Sequence, residues 1–305
     1  MKLGVAPAIS VDSLVVDYGD TRAVKGISFH GFPGQVTALL GPNGAGKTTT
    51  IEALEGYIKP SSGSVTVFGL NPIRDHKALV ARMGVMLQSG GVYPGIRPLE
   101  VLRLFASYYP NPLNPETLLE RVGLAHRSKA TWRTLSGGEK QRLSLALALI
   151  GQPDIVFLDE PGAGLDVEGR HLVHGLIRTL RSEGVTFVLG THDLVEAETL
   201  ADRVIIMNRG LVVADADIEV LLADHPADTQ FSTNSTFETH ELSRHLGHQV
   251  ESLGGGNYLI AAPPDPVLIA ALTAWLAANQ ISLGTLHGSR LGLEEIFLRL
   301  TKEET

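Results

Sequence analysis

The sequence predicts an α/β protein: a mainly parallel sheet with packed helices, an antiparallel β element at its N-terminal side, and a small α+β domain behind. Three observations carry this prediction. Short apolar runs at Gln35–Leu40, Ile155–Leu158, Val185–Leu189 and Val204–Met207 alternate with segments of helical spacing, as buried parallel strands joined by crossover helices require. A stretch from Pro98 to Ile150 has helical spacing and no strand, and reads as an inserted helical lobe. After about residue 222 the texture turns polar and rich in turn residues (ADHPADTQ), which marks a domain boundary near 222–230. The expected organisation is therefore residues 1–222, with the lobe at about 89–150, and a smaller unit at 223–305.

The elements follow in order. Ile9 to Tyr18 alternates loosely and ends at Gly19-Asp20, a hairpin-type turn, with Val24 to His30 as the returning strand. Gln35–Leu40 stops at a glycine-rich turn, and from Thr48 onward Ile51, Leu54 and Ile58 share one helical face. Gly63–Phe68 is a strand after the turn signal Pro60-Ser61-Ser62-Gly63, and Gly84–Leu87 is another that closes at Gln88. The lobe is interrupted by the proline-rich Pro110–Pro115, and its aromatic residues include Tyr93, Phe105, Tyr108 and Tyr109. Val204–Met207 pairs with Leu211–Ala214 across Asn208-Arg209-Gly210. In the tail a strand, helix, strand, helix and strand are expected, with Gly254-Gly255-Gly256 as a loop.

Composition excludes several classes. Of 305 residues, 44% are hydrophobic and 19% charged, an ordinary globular balance and not a disordered one. A net charge of −8 argues against coating nucleic acid, which needs a basic face, so no nucleic-acid partner is expected. The absence of cysteine rules out disulfides and thiolate metal sites. The first residues carry one Lys and no continuous apolar stretch, so no signal peptide is expected. The longest apolar run, Pro266–Asn279, falls short of the roughly 20 residues of a membrane span and reads as a packed helix.

Gly41-Pro42-Asn43-Gly44-Ala45-Gly46-Lys47-Thr48 fits G-x-x-x-x-G-K-[ST] between a strand and a helix. Such glycines let backbone N–H groups converge on phosphate oxygens at a positive helix N-terminus. Lys47 is placed to reach the terminal phosphates of ATP, and Thr48 to offer a hydroxyl to Mg2+. A carboxylate element is expected nearby at a strand end, and Ile155-Val156-Phe157-Leu158-Asp159-Glu160 supplies it. Asp159 is placed to hold Mg2+ and Glu160 to orient the attacking water. Leu135-Ser136-Gly137-Gly138-Glu139 then opens a second helix with a serine and two glycines. One nucleotide needs one phosphate loop, so the second is most simply read as completing a site on another protomer.

On these motifs the chain resembles the ABC ATPases over about residues 8–220. The resemblance makes LSGGE the signature motif, with Ser136, Gly137, Gly138 and Glu139 closing over the partner's nucleotide. It makes Asn43, Gly44, Gly46, Lys47, Thr48 and Thr49 the phosphate-binding positions. Gln88 corresponds to the glutamine that links Mg2+ and water to the transport interface, Asp166 to the loop that crosses the dimer, and His192 to the histidine on the γ-phosphate. Tyr18 corresponds to the aromatic residue that stacks on adenine, with Val24 beside it. Gly162 departs from the pattern, which has threonine or serine there, and a slightly looser loop is expected.

Gly292-Leu293-Glu294-Glu295-Ile296-Phe297-Leu298-Arg299-Leu300-Thr301, and the run QSGGVYP after the Gln88 strand, resemble the daunorubicin-type branch of resistance exporters. That likeness implies a homodimer at the cytoplasmic face of the membrane, a separately encoded membrane-spanning permease, and export of a hydrophobic drug-like or lipid-like molecule. An ATPase acting on ribosomes or DNA is the rival; such proteins carry two ATPase units or a long coiled coil, and neither is present. An importer's ATPase is the second alternative.

Overall fold

A computed structural model of the protein describes residues 5–86, 92–223, 228–289 and 292–302. The chain divides into two compact units that meet at Ile218 and Glu219.

In the first unit β1 (Ile9–Tyr18) pairs antiparallel with β2 (Thr21–Gly31) across the Gly19-Asp20 turn. Next come β3 (Val36–Leu40), α1 (Lys47–Glu55) and β4 (Ser62–Val67), and β4 pairs with the other side of β1. Helix α1 ends earlier than the sequence spacing implies. Gly56 is its left-handed C-cap with φ 84°, a conformation glycine adopts without a Cβ penalty. A side chain there would also lie 2.4 Å from the Pro72 carbonyl oxygen. Ile58 therefore stands beyond the helix, although it still packs against the core.

Short α2 (His76–Val80) precedes β5 (Met83–Met86). The lobe follows, with α3 (Pro98–Ala106), α4 (Pro115–Arg121) and α5 (Gly137–Leu149). Pro115 starts α4 at a position where its missing N–H costs nothing, and the Asn114 side chain caps the helix through Thr117 N–H. Leu102 is the fully buried centre of α3, whereas Tyr93 and Tyr108 are exposed. The chain then returns through β6 (Ile155–Asp159), α6 (Val167–Ser182), β7 (Thr186–Thr191), α7 (Leu194–Leu200), β8 (Arg203–Asn208) and β9 (Leu211–Asp217).

The main sheet has the order β5-β6-β7-β3-β8-β9. All its pairs are parallel except the β8–β9 hairpin. Strands β3, β6 and β7 are buried at every residue, which explains their continuous apolar runs: a sheet covered on both faces has no polar side to alternate with. Their carboxyl ends lie side by side, and ligands of open α/β sheets bind outside such ends.

The second unit takes up after α8 (Ile218–Ala223) begins, so the observed division falls a few residues before the boundary expected from the polar stretch. It contains β10 (Asp228–Thr233), α9 (Thr239–Leu246), β11 (Val250–Gly254), β12 (Asn257–Ile260), α10 (Pro266–Ala278), β13 (Leu283–Ser289) and α11 (Leu293–Lys302). The antiparallel sheet runs β11-β12-β10-β13. Its core is aromatic: the Phe231 and Tyr258 rings stack at 5.2 Å, and Phe237 stacks on Tyr258 at 4.3 Å. The Tyr258 hydroxyl accepts the Phe237 N–H at 3.0 Å, so the buried phenol keeps a polar partner. The apolar run at 266 is indeed a packed helix, α10, with Leu268, Leu272 and Leu276 buried. Among the described residues no helix is long and apolar enough to cross a membrane.

Candidate active site

The glycine-rich turn after β3 curls back on itself and starts α1. Gly44 and Gly46 both have positive φ, 79° and 100°. A side chain on Gly46 would lie 2.8 Å from the Ala23 carbonyl oxygen, so only glycine lets the loop settle onto β2. No side chain caps α1, and its first N–H groups are left for an anion. Residues 43–49, with Glu160, Ala163 and His192, line a cleft of about 330 Å3. The cleft thus gathers Asn43, Gly44, Gly46, Lys47, Thr48 and Thr49, all six loop residues that the sequence singles out.

Lys47 is only 6% exposed. Its ammonium donates to the carbonyls of Gly41 at 2.7 Å and Pro42 at 3.2 Å, and lies 3.9 Å from Glu160 Oε1. Burial lowers its pKa from the usual lysine value, and the charges of Glu160 and Asp159 oppose that shift. At the end of β6 the Thr48 hydroxyl donates to Asp159 Oδ2 at 2.8 Å. Burial raises the Asp159 pKa above the usual carboxylate value, against the lowering effect of that hydrogen bond. A hydroxyl and a carboxylate side by side form a hard oxygen pair, the donor chemistry that suits Mg2+.

Glu160 carries its carboxylate on a strained backbone. Its φ is 52°, a left-handed conformation that costs a non-glycine residue roughly 1–3 kcal/mol. Two hydrogen bonds hold it there. Its N–H donates to the Gly190 carbonyl at 2.8 Å, and its carbonyl accepts the Gln141 side-chain amide at 2.8 Å. His192, just beyond β7, places Nδ1 2.8 Å from the Glu160 carboxylate. As the carboxylate accepts, Nδ1 carries the proton. Asp193 follows as the α7 cap, accepting the N–H groups of Val195 and Glu196.

The remaining predicted positions divide. Tyr18 is half exposed at the end of β1, with its hydroxyl 3.5 Å from Glu52 Oε2. Val24 is fully buried, and it is 3.4 Å from where a Gly46 side chain would start. It therefore backs the phosphate loop from inside the core, with no exposed surface of its own. Gln88 lies outside the described residues. Asp166 caps α6, its side chain accepting the Gly169 N–H at 2.8 Å.

Ser136, Gly137, Gly138 and Glu139 do not line the cleft. They form a capping box: Ser136 Oγ accepts the Glu139 N–H at 3.2 Å, and Glu139 Oε2 accepts the Ser136 N–H at 2.8 Å. Arg127 Nε pairs with Glu139 Oε1 at 2.9 Å and its Nη2 donates to the Thr134 carbonyl at 3.0 Å, so one guanidinium pins both sides of this turn.

Sequence reasoning missed Gln141 and Gly190, which hold Glu160, and Ala163, which lines the cleft. Gln141 stands three residues beyond Gly138 in the same conspicuous motif, and that proximity was the available signal. The loop at Gly162 is also not loosened by its missing side chain. Glu196 Oε1 lies 2.6 Å from where a Cβ would be, so a carboxylate fills the space.

Residues 24–163 match the family model described as ABC transporter. The chain is 34% identical to the Nod factor export ATP-binding protein I of Ralstonia nicotianae, over 99% of this chain and 96% of that protein. It is 36% identical to the daunorubicin resistance ATP-binding protein DrrA3 of Streptomyces coeruleorubidus, over 72% of each. Among solved structures, an ATP-binding subunit of an ABC transporter superposes with a TM-score of 0.65 at 25% identity, covering 71% of this chain and 92% of the other. The cbiO1 subunit of the Clostridium perfringens cbiONQ complex does so with a TM-score of 0.63 at 28% identity, covering 72% and 91%. The chain belongs to the ABC transporter family, as one of its ATP-binding, ATP-hydrolysing subunits.

Proposed function

We propose that this chain powers export of a hydrophobic drug-like or lipid-like molecule, as a homodimer bound to a separately encoded permease at the cytoplasmic face of the membrane. One observation carries the mechanism: the cleft beside the phosphate loop holds a carboxylate already bonded to a histidine, while the Ser136 turn stands outside it. Each cleft then needs a second chain to cover its nucleotide, and two clefts with two Ser136 turns satisfy each other in a two-fold pair. The near full-length likeness to a Nod factor export protein, and the likeness to a daunorubicin resistance protein, support export over import or a soluble role.

The roles follow from position. The first-turn N–H groups of α1 and Lys47 bind the phosphates. Thr48 and Asp159 would hold Mg2+, which when bound neutralises charge on the transferring phosphoryl group; Gln88 joins them by the family resemblance alone. Glu160 orients water for in-line attack, and His192 fixes the carboxylate while facing the terminal phosphate. Tyr18 offers its ring to the base. Ser136, Gly137 and Gly138 of the opposite protomer close over the γ-phosphate, and Asp166 crosses with them. Phosphate release then weakens the pair and returns the permease to its resting state.

The test is to purify the chain gently from solubilised membranes and to compare wild type with Glu160→Gln. The wild type should bring a polytopic membrane protein in near one-to-one ratio. The variant should keep that partner and bind ATP, yet lose roughly a thousandfold or more in turnover, because the lost interaction acts on the transition state. Normal turnover by Glu160→Gln would remove Glu160 from its role. Recovery of ribosomes or chromatin in place of a membrane protein would remove the transport reading.

A further inference from the structure

Helices α6 and α7 are joined by two polar rungs. The outer rung is Arg170 Nη1 to Asp193 Oδ2 at 3.4 Å, between partly exposed side chains. The inner rung is His174 Nε2 to Glu196 Oε1 at 3.3 Å, and both residues are buried, at 5% and 2% exposure. Arg170 and His174 are four apart on α6, and Asp193 and Glu196 are three apart at the start of α7. Each pair therefore shares one helical face, and the rungs are stacked.

The position of the inner rung gives it meaning. Helix α6 is capped by Asp166 and α7 follows His192, so the rungs join the helix behind the interprotomer loop to the helix behind the histidine. The same Glu196 oxygen fills the room left by Gly162, two residues after Glu160. A carboxylate carried by the segment that follows His192 thus lies against the loop that follows Glu160, and the front ends of the two segments meet in the His192–Glu160 hydrogen bond of 2.8 Å. A buried glutamate is retained against its desolvation cost only where its oxygens are bonded. A loop stiffened this way holds its carboxylate where water is to be aligned, and alignment errors of about 1 Å cost orders of magnitude in rate.

We propose that His174 and Glu196 are positioning residues for hydrolysis, a buried pair that seats the Gly162 loop and so keeps His192 on Glu160. This rests on the reading of Glu160 and His192 as the hydrolytic pair. Gly162 leaves the Glu196 carboxylate its place, and a Cβ there would displace the carboxylate.

The pair is tested by steady-state ATP turnover of the full chain across a range of ATP concentrations, with nucleotide affinity and thermal midpoint measured alongside. Gly162→Ala drives a methyl group into the carboxylate, and Glu196→Ala removes it. Each should lower kcat roughly tenfold while nucleotide affinity stays within about twofold of wild type. Because both act by unseating one contact, the double variant should be no slower than Glu196→Ala alone, the non-additivity expected of residues in one contact. His174→Gln and Glu196→Gln, which preserve a hydrogen bond between the two side chains, should restore most of kcat.

Wild-type kcat in Gly162→Ala and Glu196→Ala would overturn the proposal. So would losses that multiply in the double variant, or losses that track the thermal midpoint and are not relieved by the glutamine variants. If Glu196→Ala fails to fold, Gly162→Ala still decides, because it leaves both partners present. Turnover retained by Glu160→Gln would instead remove the hydrolytic assignment on which the pair depends, and that result is separable from the others.

Discussion

Two helices of this protein begin on glycine-rich turns, and they begin in opposite ways. Helix α1 has a left-handed glycine, Gly46, as its N-cap, no side-chain cap and no acidic residue in its first turn. Helix α5 has Ser136 as its N-cap, a reciprocal capping box and Glu139 in the first turn. The first leaves its N–H groups open at a cleft and adds a buried lysine. The second satisfies part of its own end and neutralises its acid with Arg127. A helix N-terminus carries roughly half a positive charge in either case, so the capping decides the use. An uncapped start with its own cation can capture phosphate unaided. A self-capped start is rigid and already partly satisfied, and is suited to be pressed against an anion that something else holds.

That contrast predicts different failures. Lys47→Ala should weaken ATP binding by roughly a hundredfold or more, since a charge-assisted contact to phosphate in a buried site is lost. The loss should be visible by titration calorimetry in dilute chain, where no dimer forms. Ser136→Ala should leave that binding within about twofold of wild type and reduce turnover roughly ten- to a hundredfold, the range for losing one donor to a transition-state oxyanion. Light scattering with ATP and an inactivated Glu160 should show the proposed nucleotide-dependent dimer, and show it weakened in Ser136→Ala. Equal loss of binding by dilute chain in both variants would erase the distinction between the two helix starts.

The same contrast marks how far the site could be read from sequence. The phosphate loop was legible because its chemistry is local: glycines, a lysine and a threonine must sit together between a strand and a helix. Asp159 and Glu160 were legible because a fully buried strand has to be apolar until the residue where it surfaces. The capping box too is written within four residues. What escaped depends on partners far apart in the chain. Nothing near Val24 says that it is buried behind Gly46, nothing near Gln141 says that its amide holds the Glu160 carbonyl, and Gly162 read alone implies slack where Glu196 supplies filling. Helix α6 was legible in principle, since Val173, Leu176, Ile177 and Leu180 recur at helical spacing and are buried. In the tail, the alternation of β11 is weak because Glu251, Ser252, Leu253 and Gly254 are all exposed and Val250 alone is buried, so the strand has almost no buried face to reveal it.

The far end of α1 sharpens the comparison once more. Its last residue, Glu55, is 5% exposed and has a pKa raised to about 8, first by burial and then by the charges of Glu52 and Asp159. The carbonyl end of a helix disfavours an anion as well. The native chain therefore keeps a proton that the unfolded chain, with a carboxyl near 4.5, releases in the window between those two values. Stability falls as pH rises through that window, by at most about 1.4 kcal/mol per pH unit, and the full cost is present above pH 8. Glu55→Gln removes the titration without changing the shape. The variant and wild type should have the same thermal midpoint near pH 4.5, and the variant should pull ahead steadily up to pH 8.5 with ATP affinity unchanged. Parallel midpoints across this range would mean that Glu55 is ionised in the folded protein, stabilised by a partner that its burial at the end of the phosphate-binding helix does not reveal.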